Sequence, residues 1–472
     1  MAACRLERAA RHDQKIRRTV TLVVPLVPAP DPFGTCVRFS GLPHLLFLDS
    51  SAQGFLGRYS FLAADPVAVA ATPDDARGLL LRHQRAPLPG LPPFQGGIAG
   101  YLGYDWGAAL ERVGRPPADR FTPQIPDVVL ALYDWVIAWD HLDEKAWLIV
   151  NESGRRAEMR VAWVQERLLA PAPAVHDHPA PVPAPPQSNF ARAEYEAAVS
   201  RIREYIAAGD VYQVNMSQRF HAAFTGSPLG LYRRLRARNP APFGAYLEFA
   251  GATIASISPE RFLRVDAATR LAEARPIKGT RPRGSTPQQD SALARELLES
   301  EKDRAENVMI VDLLRNDLGK VCRPGSVTVP KLFALESHPT VHHLVSTVTG
   351  ELADDADAFA LLGAAFPGGS VTGAPKIRAM EIIAELERAP RGIYCGAIGY
   401  VSVSGAMDFN IPIRTIVLQG GAATFHAGAG IVWDSEPAAE YEETLAKART
   451  MIEALTSPRR TPRTRGRAHP LV

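Results

Sequence analysis

Several stretches of the chain place apolar residues at the spacing of a helix. Between Asn189 and Gly209 they recur every three or four residues, which predicts an amphipathic helix that ends at Gly209. The apolar positions of this helix are Tyr195, Val199, Ile202 and Ile206. Residues 291–319 predict one long helix that ends at Gly319, and residues 437–455 predict the last helix.

Other stretches are apolar runs rich in β-branched and aromatic residues, as expected for buried strands. Most of these runs follow one another without an intervening helix, in the manner of hairpins. This order favours an α+β fold with largely antiparallel sheets. The predicted strand segments are 19–27, 44–51, 61–72, 127–140, 211–224, 252–265, 396–405, 409–419 and 423–432.

A segment rich in proline and alanine, residues 168–189, interrupts this pattern and predicts an extended linker. It separates an N-terminal lobe, residues 19–167, from a larger region, residues 190–456. Residues 1–18 predict a frayed start, and the arginine-rich residues 457–472 predict a disordered basic tail.

Composition narrows the class of protein. The chain has 472 residues, 46% of them hydrophobic and 22% charged, and its net charge is +3. The length exceeds one ordinary core, and the small charge gives no general attraction to nucleic acid or membrane. The four cysteines are scattered without a CxxC pair, so neither a zinc site nor a disulfide framework is indicated. We therefore expect a cytoplasmic protein with free thiols and with neither membrane nor nucleic acid as a partner.

A lysine stands in a rigid frame in the stretch EARPIKGTRPRG, residues 273–284. Pro276 fixes its own backbone and extends the residue before it, while Gly279 permits a sharp turn or a close approach. Such a frame would hold Lys278 in one place, as a reactive amine requires. On its own, the stretch favours a solvated basic loop, because most basic loops are simply solvated.

Two helices present acidic residues three positions apart, and residues at this spacing share a helix face. Asp303 and Glu306 lie on one helix, and Glu440 and Glu443 lie on another. Brought together, the two faces would offer the oxygen ligands that Mg²⁺ prefers. The alternative is ordinary ion pairing, for example between Glu443 and Lys447 or between Asp303 and a neighbouring base.

Two further segments contain closely spaced glycines and are candidate anion-binding sites. Gly428 and Gly430 in HAGAGIV could form an anion nest or a tight bend at a sheet edge. The stretch FPGGSVTGAPKIRAM has the glycine spacing of a phosphate loop but lacks its lysine and hydroxyl. We therefore exclude a nucleotide triphosphate site there and predict a helix with Pro375 in its first turn.

These motifs occur together in one chain, and their sequence and order resemble those of the chorismate-utilising enzymes. This family includes anthranilate synthase component I, aminodeoxychorismate synthase component I and the isochorismate and salicylate synthases. The resemblance covers nearly all of residues 190–455 and is weaker in the N-terminal lobe. The motifs are SPERF, PIKGTRPRG, KDRAENVMIVDLLRNDLG, HHLVSTVTG, FPGGSVTGAPKIRAMEII, CGAIGY, IRT, AGAGIV and YEETLAKA.

Within the family, Lys278 resembles the aminodeoxychorismate synthase component I branch, because the other branches typically carry alanine there. Gln213 also fits that branch, whereas a lysine at this position would suggest a water-activating isochorismate-type enzyme. The resemblance implies a large two-lobed α+β fold with mostly antiparallel sheets packed face to face and helices outside. It implies formation of 4-amino-4-deoxychorismate from chorismate and ammonia, for p-aminobenzoate and folate synthesis.

The resemblance also implies roles for individual residues. Lys278 would be the nucleophile that bonds to the substrate, and Glu260 the general acid and base. Glu306 and Glu443 would hold Mg²⁺ directly, and Asp303 and Glu440 through water. The implied substrate-binding residues are Gly279, Thr280, His343, Ser370, Tyr394, Arg414, Gly428, Ala429, Gly430 and Lys447.

A second pocket and a partner follow from the same resemblance. The family has a tryptophan pocket in its N-terminal lobe, and its positions match Ser50 and the run Pro242, Phe243 and Gly244. A separate glutamine amidotransferase subunit is expected to supply ammonia, which makes the protein one half of a heterodimer.

Two alternatives remain open from the sequence. The chain could be an anthranilate synthase component I, which would also release pyruvate. It could instead be a non-catalytic regulator that binds chorismate or tryptophan.

Overall fold

The structure is a computed structural model that describes residues 21–175, 185–249, 251–338 and 341–456. The predicted frayed start, residues 1–18, and the predicted basic tail, residues 457–472, lie outside the described residues. The central part of the predicted linker, residues 176–184, lies outside them as well.

The described residues form 22 strands, and every pairing between them is antiparallel. The strands are β1 (Leu22–Leu26), β2 (Leu45–Asp49), β3 (Tyr59–Ala63), β4 (Ala68–Ala70), β5 (Gly97–Leu102), β6 (Val128–Tyr133), β7 (Trp135–Asp140), β8 (Lys145–Val150), β9 (Gln187–Ser188), β10 (Gln213–Ala223), β11 (Phe243–Phe249), β12 (Ala252–Ser258), β13 (Arg261–Val265), β14 (Leu271–Ala274), β15 (Ile277–Pro282), β16 (Thr328–Ser337), β17 (Val341–Glu351), β18 (Gly373–Ala374), β19 (Ala397–Ser402), β20 (Met407–Asn410), β21 (Thr415–Gln419) and β22 (Ala422–Ile431).

Eleven α-helices accompany these strands in the described part of the chain. They are α1 (Pro32–Phe39), α2 (Pro73–Leu81), α3 (Tyr104–Leu110), α4 (Arg155–Leu169), α5 (Arg192–Ala207), α6 (Pro228–Arg238), α7 (Pro287–Glu299), α8 (Glu301–Gly319), α9 (Ala358–Ala365), α10 (Lys376–Leu386) and α11 (Pro437–Thr456). A short 3₁₀ turn covers Gly369–Val371. None of the helices in the described ranges is both long and apolar enough to cross a membrane.

The strands form two large sheets. The first has the order β1-β8-β7-β3-β2-β11-β12-β21-β22-β10-β18, with β9 paired to β10. The second has the order β15-β17-β14-β13-β20-β19-β5-β6-β4, with β16 paired to β17. Strands from before and after the proline-rich segment pair directly, β2 with β11 and β5 with β19. The division at residues 168–189 remains our proposal for the domain organisation.

The two sheets pack face to face, with helices on their outer faces. One apolar cluster lies between the sheets and joins side chains of both, such as Leu247 and Tyr400. Two further clusters join the sheets to helices, for example through Met451 of α11 and Ile310 of α8. Complete burial of one such side chain contributes about 1.5–3 kcal/mol, so these layers determine the fold. The predicted α+β class is confirmed.

The predicted helix between Asn189 and Gly209 is confirmed as α5, and Gly209 has a φ of +81°. The prediction of one long helix over residues 291–319 was wrong, because the chain forms α7 and α8. Ser300 separates them with an extended backbone, and its hydroxyl accepts a hydrogen bond from the Asp303 amide at 3.3 Å. Pro375 precedes α10 as its cap residue instead of lying inside the first turn.

Candidate active site

A bulge in the second sheet displaces Lys278 from regular pairing. On β15, Ile277 pairs with Val345 and Thr280 with His343, so three steps along β15 match two along β17. A bulge of this kind commonly redirects a side chain beside an active site. Gly279 has a φ of +79°, and a Cβ there would lie 2.8 Å from the Asp303 Cγ atom. Both facts require glycine after the lysine.

The Lys278 amine donates a hydrogen bond to the Ser370 carbonyl oxygen at 3.2 Å. Loss of hydration on burial lowers the pKa of this amine, and the charge of Lys447 lowers it further. The carboxylates of Glu306 and Glu260 act in the opposite direction. The net shift favours the neutral amine, which is the nucleophilic form of lysine.

Ser370 connects this amine to Glu260. The Ser370 hydroxyl donates to Glu260 Oε1 at 2.8 Å, while its carbonyl oxygen accepts from Lys278. Glu260 lies between β12 and β13 and is only 7% exposed. Burial raises the pKa of its carboxyl, against the opposing effects of Ser370 and Lys278. A buried carboxyl that holds its proton beside an amine can act as a general acid.

The acids on α8 and α11 share one electrostatic environment with this amine. Burial raises the pKa of Glu306, and Asp303 and Glu443 raise it further, while Lys278 opposes them. Glu440 is buried and accepts a hydrogen bond from the Ser435 hydroxyl at 2.6 Å. Burial and the charge of Glu443 raise its pKa as well. The structure thus brings the two predicted acidic faces together.

Both alternative ion pairs are also present. Lys447 lies 2.7 Å from Glu443, and Arg281 lies 3.2 Å from Asp303. Across the described ranges, no three potential ligands are grouped closely enough to hold a metal ion by themselves. Mg²⁺ usually takes only one or two carboxylates and completes its shell with water and an anionic substrate. Glu306 is half-buried and Glu443 is exposed, and the charge of Glu443 raises the pKa of Glu306, so the two lie close enough to fit that requirement.

The floor of the site is β22 where it passes β10. Gly428 lies opposite Ser217, whose amide donates to Glu387, and Gly430 lies opposite Asn215, whose amide donates to Thr372. The amides of Ser217 and Asn215 therefore point away from β22. In an antiparallel pair, the backbone groups of the opposite glycines then point away from β10.

The edge of β22 to which these glycines point has no partner strand beside them among the described residues. β21 pairs with β22 only between Ala422 and Phe425, and the Gly428 carbonyl accepts a hydrogen bond from Lys447 at 3.0 Å. The glycines thus lie in a regular strand, so neither the nest nor the tight bend occurs. By the same alternation, the backbone of Ala429 faces β10, and its side chain is buried in a helix-side core.

Arg414 and Tyr394 are two further predicted substrate-binding residues. The Arg414 guanidinium makes no hydrogen bond or ion pair with any described residue, and burial lowers its pKa. The Tyr394 ring stacks on His426 with centroids 5.2 Å apart, and its hydroxyl lies 3.0 Å from where a Gly428 Cβ would stand. A guanidinium without a side-chain partner among the described residues is suited to bind a carboxylate.

His343 lies on β17 and pairs with Thr280 on β15, the strand that carries Lys278. Its Nδ1 atom lies 2.9 Å from the Thr280 hydroxyl. Burial lowers the pKa of His343 to about 4, and the nearby charge of Arg414 contributes. The ring is therefore neutral near pH 7 and can accept or donate one hydrogen bond.

The four residues of the predicted tryptophan pocket also lie together. They line a cavity of about 190 Å³ whose wall includes Arg261, the neighbour of Glu260. The Ser50 hydroxyl contacts the carbonyl oxygens of Tyr59 at 2.6 Å and Pro242 at 2.8 Å. The pocket residues are Ser50, Pro242, Phe243 and Gly244.

Sequence reasoning missed one group that supports the site. Arg391 is buried beside Glu387 at 2.7 Å and donates to the carbonyl oxygens of Val371 at 2.8 Å and Asn215 at 2.7 Å. It thereby fixes the segment that carries Ser370 against β10, the neighbour of the floor strand. The four-residue spacing of Glu387 and Arg391 was visible, but it is also typical of an ordinary surface pair.

The fold and the site define an α+β enzyme architecture with an amine of lowered pKa, a buried carboxyl of raised pKa and a paired set of acids. Residues 51–453 match the chorismate binding enzyme family, and the chain belongs to that family.

Named relatives agree with this assignment. The chain is 44% identical over 436 residues to "Aminodeoxychorismate synthase component 1" of Salmonella typhimurium, covering 88% of this chain and 93% of that protein. It is 43% identical over 421 residues to "Anthranilate synthase component 1" of Streptomyces coelicolor, covering 85% and 82%. The crystal structure of anthranilate synthase component I from Streptococcus pneumoniae superposes with a TM-score of 0.73 at 35% identity, covering 85% and 93%.

Proposed function

We propose that the chain is the chorismate-converting component of an aminodeoxychorismate synthase. It would convert chorismate and ammonia to 4-amino-4-deoxychorismate through a covalent bond to Lys278. The observation that carries this proposal is the Lys278 amine, which has a lowered pKa and is linked to Glu260 through Ser370. Identity alone does not choose between the two named activities, since the relatives are 44% and 43% identical.

The reaction we propose has two allylic steps. The neutral Lys278 amine forms a bond to ring carbon 2, both ring double bonds shift, and the hydroxyl at carbon 4 leaves as water with a proton from Glu260. Ammonia then adds at carbon 4, both double bonds shift back, and the carbon–nitrogen bond to Lys278 breaks to release the neutral amine. Glu260 regains its proton from the new ammonium group. Splitting one displacement into two steps lowers the barrier of each.

The carboxylates of chorismate would be held at opposite ends of the site. Arg414, with the open amides of Gly428 and Gly430, is suited to the enolpyruvyl carboxylate. Glu306 and Glu443 would hold Mg²⁺ directly, with Asp303 and Glu440 acting through water. The ion would neutralise the ring carboxylate and orient the ring.

The same proposal includes a partner subunit, a cellular location, a pathway and a second ligand. A glutamine amidotransferase subunit would form a heterodimer with this chain in the cytoplasm and supply ammonia. The amine transfer would be coupled to that glutaminase, and the product would feed p-aminobenzoate and folate synthesis. The cavity at Ser50 and Phe243 would accept tryptophan.

The decisive test is mass spectrometry of the product from chorismate, Mg²⁺ and ammonium, with Lys278→Ala as the variant. We expect the wild type to form 4-amino-4-deoxychorismate and the variant to lose roughly 10²-fold or more in turnover at limiting ammonia. Lys331→Ala, an exposed lysine on β16, is the matched control and should keep full activity. Unchanged turnover in Lys278→Ala would refute the covalent role.

Anthranilate synthesis is the second candidate, because the Streptomyces coelicolor relative carries that name at nearly the same identity. The same incubation separates the two activities. Anthranilate fluorescence that develops without an added lyase would favour this second candidate.

A further inference from the structure

An apolar groove opens at the surface beside the candidate active site. It has a volume of about 910 Å³ and lies between α8, β18 and the segment that follows β22. Its lining includes three side chains that are exposed despite their size, with Tyr212 at 72%, Trp433 at 57% and Val308 at 42%. Exposed apolar side chains that cluster in this way mark interaction sites in soluble proteins.

The groove shares its wall with the active site. Glu306 lines the groove and interacts electrostatically with the Lys278 amine. Ala374, which also lines the groove, pairs with Gln213. The side chain of Gln213 packs against Gly430, because a Cβ added to Gly430 would lie 2.2 Å from the Gln213 Nε2 atom. One layer of residues therefore separates the groove from the floor where the substrate would lie.

The chemistry of the groove fits a protein better than it fits chorismate. Chorismate carries two carboxylates, whereas Trp433, Tyr212 and Met309 present apolar and aromatic surface. Aromatic residues and methionine are enriched at the centres of protein interfaces, which a polar rim surrounds. The rim residues here are charged with both signs and are Lys302, Arg304, Asp312 and Asp434.

We propose that this groove is the docking surface for the glutamine amidotransferase subunit that supplies ammonia. The inference rests on the function proposed above. At neutral pH free ammonia is mostly protonated and then cannot attack carbon, so a source next to the site preserves the reactive form. The relative from Salmonella typhimurium is named as a first component, which implies a second one.

The test compares two amine donors with the same chain. Ammonium chloride needs no partner, whereas glutamine needs the amidotransferase, which would be purified from the source organism. The groove variants are Val308→Lys and Trp433→Ala. Val67→Lys changes another exposed valine, which lies outside the groove, and is the matched control.

We expect both groove variants to lose roughly tenfold or more of the glutamine-dependent rate at limiting partner, as for central interface residues. Their ammonium-dependent rate should stay within about twofold of the wild type, as for exposed substitutions. Val67→Lys should keep both rates. Sedimentation of the chain with and without partner should show that Val308→Lys prevents complex formation.

Three outcomes would overturn the docking surface. They are full glutamine-dependent activity in both groove variants, an equal loss with ammonium, and a wild-type dimer of this chain that Val308→Lys converts to a monomer. The last outcome would assign the groove to a second copy of this chain. If the wild type forms no 4-amino-4-deoxychorismate from ammonium, the proposed function fails instead, independently of the groove.

Discussion

At the scale of single residues, Ser370 has the most connected position in the site. Its hydroxyl donates to Glu260 and its carbonyl accepts from Lys278, so one residue orients both the acid and the nucleophile. The two groups have opposite pKa shifts with the same first cause, which is burial. Both shifts favour the uncharged form of the group, which for Lys278 is the neutral amine and for Glu260 the protonated carboxyl.

This pairing predicts the effect of Ser370→Ala on the pH profile. Activity should rise where the Lys278 amine loses its proton and fall where the Glu260 carboxyl loses its proton, because the reaction needs the neutral amine and the protonated carboxyl. The Ser370 hydroxyl stabilises the charged carboxylate, so its removal raises the pKa of Glu260. We expect the alkaline limb of kcat/KM to move to higher pH.

Ser285→Ala, an exposed serine outside the site, should leave both limbs of this profile in place. An alkaline limb that stays fixed or moves to lower pH in Ser370→Ala would show that Glu260 is not the group observed.

At the scale of elements, the break between α7 and α8 determines where the acidic face points. Ser300 ends one helix and caps the next, and Asp303 and Glu306 lie in the first two turns of α8. A continuous helix would place these acids on a different axis. The break therefore matters for the site as well as for the fold.

Loss of this cap should reduce stability. Ser300→Ala removes the acceptor for the Asp303 amide, and we expect the free energy of unfolding to fall by about 1 kcal/mol. Urea denaturation measures the change. Ser200→Ala, in the middle of α5, should be neutral or slightly stabilising, because alanine favours a helix interior. Equal stability of Ser300→Ala and the wild type would contradict the role of the cap.

At the scale of the whole molecule, the two sheets join segments that are far apart in sequence. β2 pairs with β11 and β5 with β19, and the apolar cluster between the sheets includes residues from before and after the proline-rich segment. Removing either segment would expose this cluster and leave strand edges unpaired. The two segments should therefore fold as one cooperative unit.

Two probes can test this cooperativity in a single denaturation experiment. Five of the six tryptophans lie within residues 19–167, namely Trp106, Trp135, Trp139, Trp147 and Trp163. Most of the helical signal comes instead from residues 190–456. We expect tryptophan fluorescence and far-ultraviolet circular dichroism to change at the same urea concentration. Two separate midpoints would show that the segments are independent folding domains.

Sequence and structure contributed unequally to the candidate site. The order of motifs and the choice of lysine at position 278 were readable in the chain, because local patterns record the chemistry of individual residues. The bulge at Lys278, the support from Arg391 and the open edge of β22 were not, since each depends on strands that are far apart in sequence.

The sequence by itself determined the α+β class, helix α5, the family resemblance and the residue types available for catalysis. These follow from periodicity and from motifs within short windows. Only the tertiary structure decided that α7 and α8 are separate, that the glycines of β22 lie in a regular strand, and that distant segments share both sheets. Such features depend on long-range pairing and burial, for which a local sequence pattern carries no signal.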